Sequence, residues 1–370
     1  MTRLLLAFAV LLVPAAVFAA HGAQDAPTTD DSSTAAPAAD PFAEPDPLTA
    51  AAVAFLAALE EDERGALQFT FDDAERRHWQ PVPMGDAGVR IDALDEEESE
   101  LFRALLESVL SEDGLNTVDG VIVLEGILVA LEEAEGRPSP YHGPGRYFIT
   151  VYGEPGGGQP WAWRLEGHHL SMTFTCHDGA DGRPAWTAHG PWFVGAQPAN
   201  VMEEPHLGFR LLGEHDDAVR ALVESLTDEQ RAAAVSAGPI PGNVLLVPGE
   251  DSGFADPGGL PVAQMDGVQQ GLVMDALRHW AKWLREDLSA AELARMEAGL
   301  DGMHLVWIGG DHVHDAHYWR IVGPHFALEY AAPERDPDHV HALWRDTERD
   351  FGGDLLRRHL EEHHGADGDH

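Results

Sequence analysis

Beyond the first forty-odd residues the apolar positions settle into recognisable periods. Val53, Leu56 and Leu59 recur at helical spacing and predict a first helix from Leu48 to about Leu67. QFTFDD (68–73) alternates as a short strand does, and EEESELFRALLESVLSEDG (96–114) is amphipathic and predicts a second helix closed by Gly114. RYFITVYG (146–153), PWAWRLEGHHLSMTFTCHDG (160–179) and RPAWTAHGPWFVG (183–195) are aromatic, β-branched and punctuated by glycine, the pattern of an antiparallel meander. Helical spacing returns in EHDDAVRALVESLTDEQRAAAV (214–235) and GVQQGLVMDALRHWAKWLRE (267–286), on either side of a Pro/Gly-rich loop. HLVWIGG (304–310), YWRIVGP (318–324), HFALEYA (325–331) and HVHALWRD (339–346) predict a second meander, and DLLRRHLEEHH (354–364) a terminal helix. Runs of strands and runs of helices without strict βα alternation predict an α+β fold of antiparallel meanders packed with amphipathic helices. No linker interrupts 48–365, which reads as a single domain followed by a short tail, 366–370.

The N-terminus follows a different logic. Arg3, an apolar run from Leu4 to Phe18, and Val17 and Ala19 in the −3 and −1 places predict a signal peptide over 1–19, cleaved after Ala19, and hence a secreted or periplasmic protein. Pro14 interrupts a run shorter than the ~20 residues a membrane span needs, and no later segment reads as a span. Residues 20–47, rich in Ala, Pro, Asp, Ser and Thr without periodicity, read as a disordered tether. A single cysteine, Cys176, excludes an intrachain disulfide and a lipid-anchored cysteine at the cleavage site. The formal charge of −41 repels nucleic acid and anionic membrane surfaces. Lys282 is the lone lysine, so Schiff-base chemistry would rest on one residue in an amphipathic stretch.

Candidate chemistry centres on histidine, of which the chain has 21. Asp-His-Val-His occurs twice, at 311–314 and 338–341. On a strand, His339 and His341 share a face, as do His325, Ala327 and Glu329 on the preceding strand, so a hairpin could bring Glu329 beside the His pair as N, N and O ligands. On a helix the two histidines would diverge by about 200° and the chelate fails. His168 and His169 would point to opposite faces of a strand unless a bulge at Gly167 intervenes. His359–His363 matches H-x-x-E-H of zinc proteases, but a third ligand is expected well downstream. Sequences for a nucleophile elbow, H-E-x-x-H or a P-loop are absent. Arg320, Arg345 and Asp346 are candidates for binding an anionic substrate group or for internal ion pairs. Trp161, Trp163, Trp186 and Trp192 crowd the first meander, as a sugar-stacking surface or as core.

Three stretches carry a resemblance: WAWRLEGHHLSMTFT, YWRIVGPHFALEY and DHVHALWRDTERDFGGDLLRRHL. They resemble the domain-of-unknown-function family 3500, over about Pro47 to His364, through His339, His341, Trp344, Arg345, Asp346, Asp350, Phe351, Gly352, Asp354 and His359. The chain departs from that pattern at Ala331-Ala332-Pro333-Glu334, where the family commonly carries a polar run. The resemblance implies a fold and a site region but no established activity.

These residues point to an exported protein with a His/Glu site for zinc, copper or iron, drawing on His168, His169, Glu329, His339 and His341. Metal-activated water with Glu166 as proton acceptor would make it a hydrolase of an extracellular small molecule or polymer. Copper or iron oxidation, and a non-enzymatic carbohydrate- or metal-binding module, stay open beside it.

Overall fold

The computed structural model describes residues 47–79, 87–178 and 184–353. The segments expected to form a signal peptide, most of a tether and a terminal helix with its H-x-x-E-H sequence lie outside the described residues.

The helices are α1 (Pro47–Ala58), α2 (Glu61–Leu67), α3 (Glu96–Glu107), α4 (Glu112–Ala134), α5 (Gly213–Glu224), α6 (Asp228–Ala234), α7 (Ser252–Ala255), α8 (Gly267–Ala281) and α9 (Glu286–Ala298). The strands are β1 (Gln68–Phe69), β2 (Val89–Arg90), β3 (Tyr147–Tyr152), β4 (Pro160–Gly167), β5 (Leu170–Asp178), β6 (Pro184–Ala196), β7 (Val235–Ser236), β8 (Leu260–Pro261), β9 (His304–Gly309), β10 (His317–Val322), β11 (Phe326–Ala332) and β12 (Val340–Asp346). All twelve join one sheet in the order β1-β3-β4-β5-β6-β12-β11-β10-β9-β7, with β2 on β3 and β8 on β9. The α+β expectation therefore holds, and the two predicted meanders are β3 to β6 and β9 to β12. They meet at an antiparallel seam, β6 against β12, where Gly195 stands opposite His341 and Trp192 opposite Trp344.

The seam relates two copies of the same arrangement. Each half runs helix, helix, a short strand parallel to the first meander strand, a short strand antiparallel to it, two principal helices and four meander strands. Trp163-Arg164-Leu165-Glu166-Gly167-His168-His169-Leu170 in one copy lines up with Trp319-Arg320-Ile321-Val322-Gly323-Pro324-His325-Phe326 in the other. Their pairings agree as well: Leu165 opposite Ile149 and Trp163 opposite Val151 in one, Ile321 opposite Leu305 and Trp319 opposite Trp307 in the other. The connections after α3 and α8 meet across this relation, Ser111 N–H donating to Trp283 O at 2.9 Å and Arg285 N–H to Val109 O at 2.8 Å.

Several predicted boundaries shift for local reasons. The helix expected over 48–67 breaks at Leu59–Glu60, and a capping box closed by Glu60 and Glu63 starts α2. Gly114 does not close a helix but lies in the first turn of α4, where a Cβ would stand 2.2 Å from Trp283 O, so glycine there lets α4 meet the end of α8. The helices expected over 214–235 and 267–286 each end early, because Thr227 with Gln230 caps α6 and α9 begins only at Glu286. α4 has no polar face to mark it; by length and composition it could cross a membrane, although no later segment read as a span, and here half of its most apolar window is buried. A core helix passes the same test.

One face of the sheet carries the helices and the main core, in which Trp161, Trp163, Trp192, Trp307, Trp319 and Trp344 are at most 1% exposed. Trp161, Trp163 and Trp192 are thus core rather than a stacking surface; the side chain of Trp186 lies outside the described residues. On the other face a second cluster of Phe193, Tyr318, Val322, Ala327, Ala331 and Leu343 is covered by the loop carrying Val244 and Leu246.

Candidate metal centre

The site forms where a hairpin turn of the first meander reaches the seam. Gly167 pairs with Leu170, so His168 and His169 are the two residues of the β4–β5 turn rather than strand positions. This overturns the expectation that they face opposite ways: their rings stack at 3.7 Å. His169 adopts φ 62°, a left-handed conformation that costs a residue with a Cβ about 1–2 kcal/mol. The turn is held from both sides, Tyr147 O–H donating to His168 O at 3.1 Å and Gly195 N–H to His169 O at 2.8 Å. A Cβ on Gly195 would stand 2.5 Å from His169 Cδ2, so the imidazole occupies space that only glycine leaves.

From the other side of the seam come His341, on β12, and His339, in the turn just before it. Asp338 fixes that turn: its carbonyl accepts from Ala199 N–H at 2.7 Å and its carboxylate from the backbone and side-chain amides of Asn200 at 2.9 and 3.0 Å. His339 Nε2 lies 2.8 Å from His169 Nε2 and 2.9 Å from His341 Nε2. The three rings are inclined to one another by 61–89°, so their in-plane lone pairs converge rather than run parallel. Burial, reinforced by His168, His339 and His341, holds His169 well below the usual histidine range. Burial and His168 push His339 down to about 4, and burial with His339 and His168 pushes His341 to about 3. All three imidazoles are neutral at pH 7, the form that ligates metal.

A second group adjoins the first. Glu125, His168 and His169 place ligand atoms within 4.8 Å of one another. His168 Nδ1 is 2.8 Å from the Glu125 carboxylate, and the ring of His142, itself 2.9 Å from Glu132, stacks on His168 at 4.1 Å and 16°. Stacked rings keep their lone pairs in near-parallel planes, so an ion shared between two of them would sit out of both planes. The inclined trio is therefore the better chelate, and Glu125–His168 a hydrogen-bonded neighbour.

The remaining candidate residues lie apart. Glu329 shares the face of His341, as the strand register requires, but its carboxylate is taken up by the N–H groups of Leu245 and Leu246, at 3.1 and 2.7 Å, and by the Tyr318 hydroxyl. Burial raises its pKa. Glu166 pairs with Arg164 at 3.1 Å, and Arg164 with Glu75 at 2.9 Å. Arg320 donates to Pro257 O at 2.6 Å. Arg345 binds Asp350 at 2.6 Å and Val247 O at 2.8 Å, and Asp346 pairs with Arg295. These three make internal contacts. The first Asp-His-Val-His copy is an exposed loop in which Asp311 is held by Arg231 at 2.8 Å; Asp311, His312 and Asp315 form an exposed group of potential ligands.

Sequence reasoning passed over Glu125, His142, Gly195 and Asn243, whose Oδ1 lies 2.8 Å from His341 Nδ1. Glu125 had a readable signal, an acid inside the apolar run VIVLEGILVAL; the others sit in loops or owe their place to tertiary contacts.

Fold and site define a duplicated α+β sheet protein with three convergent imidazoles at its seam. The chain belongs to the DUF3500 family of proteins of unknown function, which matches residues 43–353 and so stops short of His364, where the resemblance was expected to end. No curated protein and no solved structure matches it.

Proposed function

We propose that this is an exported metalloprotein that holds one divalent ion on His169, His339 and His341 and uses it to hydrolyse an extracellular small molecule or polymer. The observation that carries this reading is the meeting of three neutral Nε2 atoms, 2.8 and 2.9 Å apart, at one point. Protons cannot satisfy such a trio well, since each contact needs one donor and one lone pair. A tetrahedral ion with N ligands at about 2.0–2.1 Å needs nitrogens about 3.3 Å apart, so the two His339 contacts have to open by only a few tenths of an ångström, with the three ligand atoms already within 4.8 Å of one another. An imidazole-only set favours zinc, copper or iron over magnesium or calcium.

A zinc ion held by His169, His339 and His341 would supply a water acidic enough to serve as the nucleophile near neutral pH. Glu166 is engaged with Arg164, so the proton acceptor we assign is His168, oriented by Glu125 at 2.8 Å. Copper or iron in the same ligands would support oxidation instead, and the identity of the bound metal separates the two.

The test is turnover of a panel of carboxylate, phosphate and glycoside esters by zinc-loaded protein, chelated protein and the H339A/H341A variant. Turnover that needs both zinc and the two histidines supports the hydrolase. A zinc-loaded protein that turns over none of the panel contradicts it.

A further inference from the structure

We infer that Asn243 is a positioning residue that sets the tautomer of His341 and thereby aims its Nε2 at the ion; this rests on the metal site proposed above. Asn243 Oδ1 lies 2.8 Å from His341 Nδ1. Its amide cannot be turned round, because the same oxygen accepts from Val244 N–H at 2.8 Å, and an NH₂ group there would face that donor. Oδ1 is thus an acceptor, His341 Nδ1 carries the proton, and Nε2 carries the lone pair. That is the arrangement by which histidine ligands are oriented in metal sites, with a carboxamide in place of the more usual carboxylate or backbone carbonyl.

The loop that carries Asn243 is anchored to the sheet by residues that looked like ligands or substrate binders in the sequence. Glu329, fully buried, accepts from Leu245 and Leu246 N–H. Arg345 donates to Leu246 O at 3.1 Å and to Val247 O at 2.8 Å. Two to four residues beyond Asn243 the backbone is therefore held on β11 and β12, the latter being the strand that carries His341. Glu329 and Arg345 act through the loop on Asn243, and Asn243 acts on the ligand.

The probe is cobalt(II), added to metal-free full-length protein and read by its visible spectrum and by chelator competition, with the melting temperature recorded alongside. N243A should weaken cobalt binding roughly 10–100-fold and alter the spectrum. N243D, whose carboxylate accepts the same Nδ1–H, should bind within about threefold of the parent, a rescue that a purely structural role would not produce. E329Q, which acts on the ligand only through the loop and Asn243, should weaken binding less than N243A. Cobalt binding and spectrum unchanged in N243A would overturn the inference, as would N243D falling as far as N243A while both remain folded. Should N243A not fold, the comparison of N243D with the parent decides alone: a loss beyond tenfold overturns it. Failure of the parent protein to bind cobalt would refute the metal site itself, a different outcome from either.

Discussion

His169 and His325 occupy the same place in the two copies of the fold. Each follows Trp-Arg-x-x-Gly-x, and each offers its carbonyl to the next strand of the sheet, to Gly195 N–H at 2.8 Å and to Thr347 N–H at 2.7 Å. Their fates differ. His169 is 2% exposed and meets two further imidazoles, whereas the His325 side chain is 50% exposed and pairs with Glu348. The residue whose N–H meets that carbonyl accounts for this: Gly195 leaves a hollow that the His169 ring fills, whereas Thr347 carries a side chain there and donates its hydroxyl to His325 O. A duplicated backbone thus supplies two equivalent turns, and one missing side chain decides which becomes a site.

The sharpest way to break that comparison is to give the first turn the neighbour of the second. Gly195→Thr should expel the His169 ring, weaken metal binding about 100-fold or more, and cost roughly 1–3 kcal/mol through overpacking, read by chelator competition and urea unfolding. Thr347→Gly should leave metal binding unchanged. Next in size is the acidic partner of each turn. Glu125→Ala strands a buried histidine and should cost about 1–3 kcal/mol, whereas Glu348→Ala, at an exposed pair, should cost less than about 1 kcal/mol.

A buried histidine outside the metal site shows the same downward shift, caused chiefly by burial and then by His279. His215 donates its one proton to His279 O at 2.8 Å, and burial pushes it down to about 3. Its folded pKa lies below the unfolded value of about 6.5, so the unfolded chain binds the extra proton between those values. Its contribution to stability is therefore present above pH 6.5 and is lost as the pH falls toward 3. Urea unfolding of metal-free protein at pH 7 and pH 4 should show a loss on the order of a few kcal/mol, and His215→Gln should reduce that difference without altering metal content. The smallest effect belongs to the first Asp-His-Val-His: H312A/H314A, at exposed positions, should shift both metal affinity at the seam and stability within error.

Periodicity made most of the elements legible, because half-buried strands and amphipathic helices alternate in fixed ways, and it placed His341 on a strand. It could not reveal α4, which is apolar on every side, nor the turn at His168–His169, where two histidines between apolar residues look like any strand. The duplication was hidden because little more than Trp-Arg, Gly and His recurs between the copies. The third ligand was named only as one of several candidates, since its meeting with His339 and His341 depends on β6 lying against β12, a pairing between distant parts of the chain. Glu329 was a sound inference from register, misplaced only because the loop bearing Leu245 and Leu246 claims its carboxylate.

The most direct measurement is elemental analysis of untagged protein, residues 20–370, after dialysis, with the C-terminal histidines substituted in place so that they cannot scavenge ions. The account predicts close to one zinc, copper or iron per chain in the parent and almost none in the H339A/H341A variant. A stably folded parent free of metal, or a variant that keeps its metal, would contradict it.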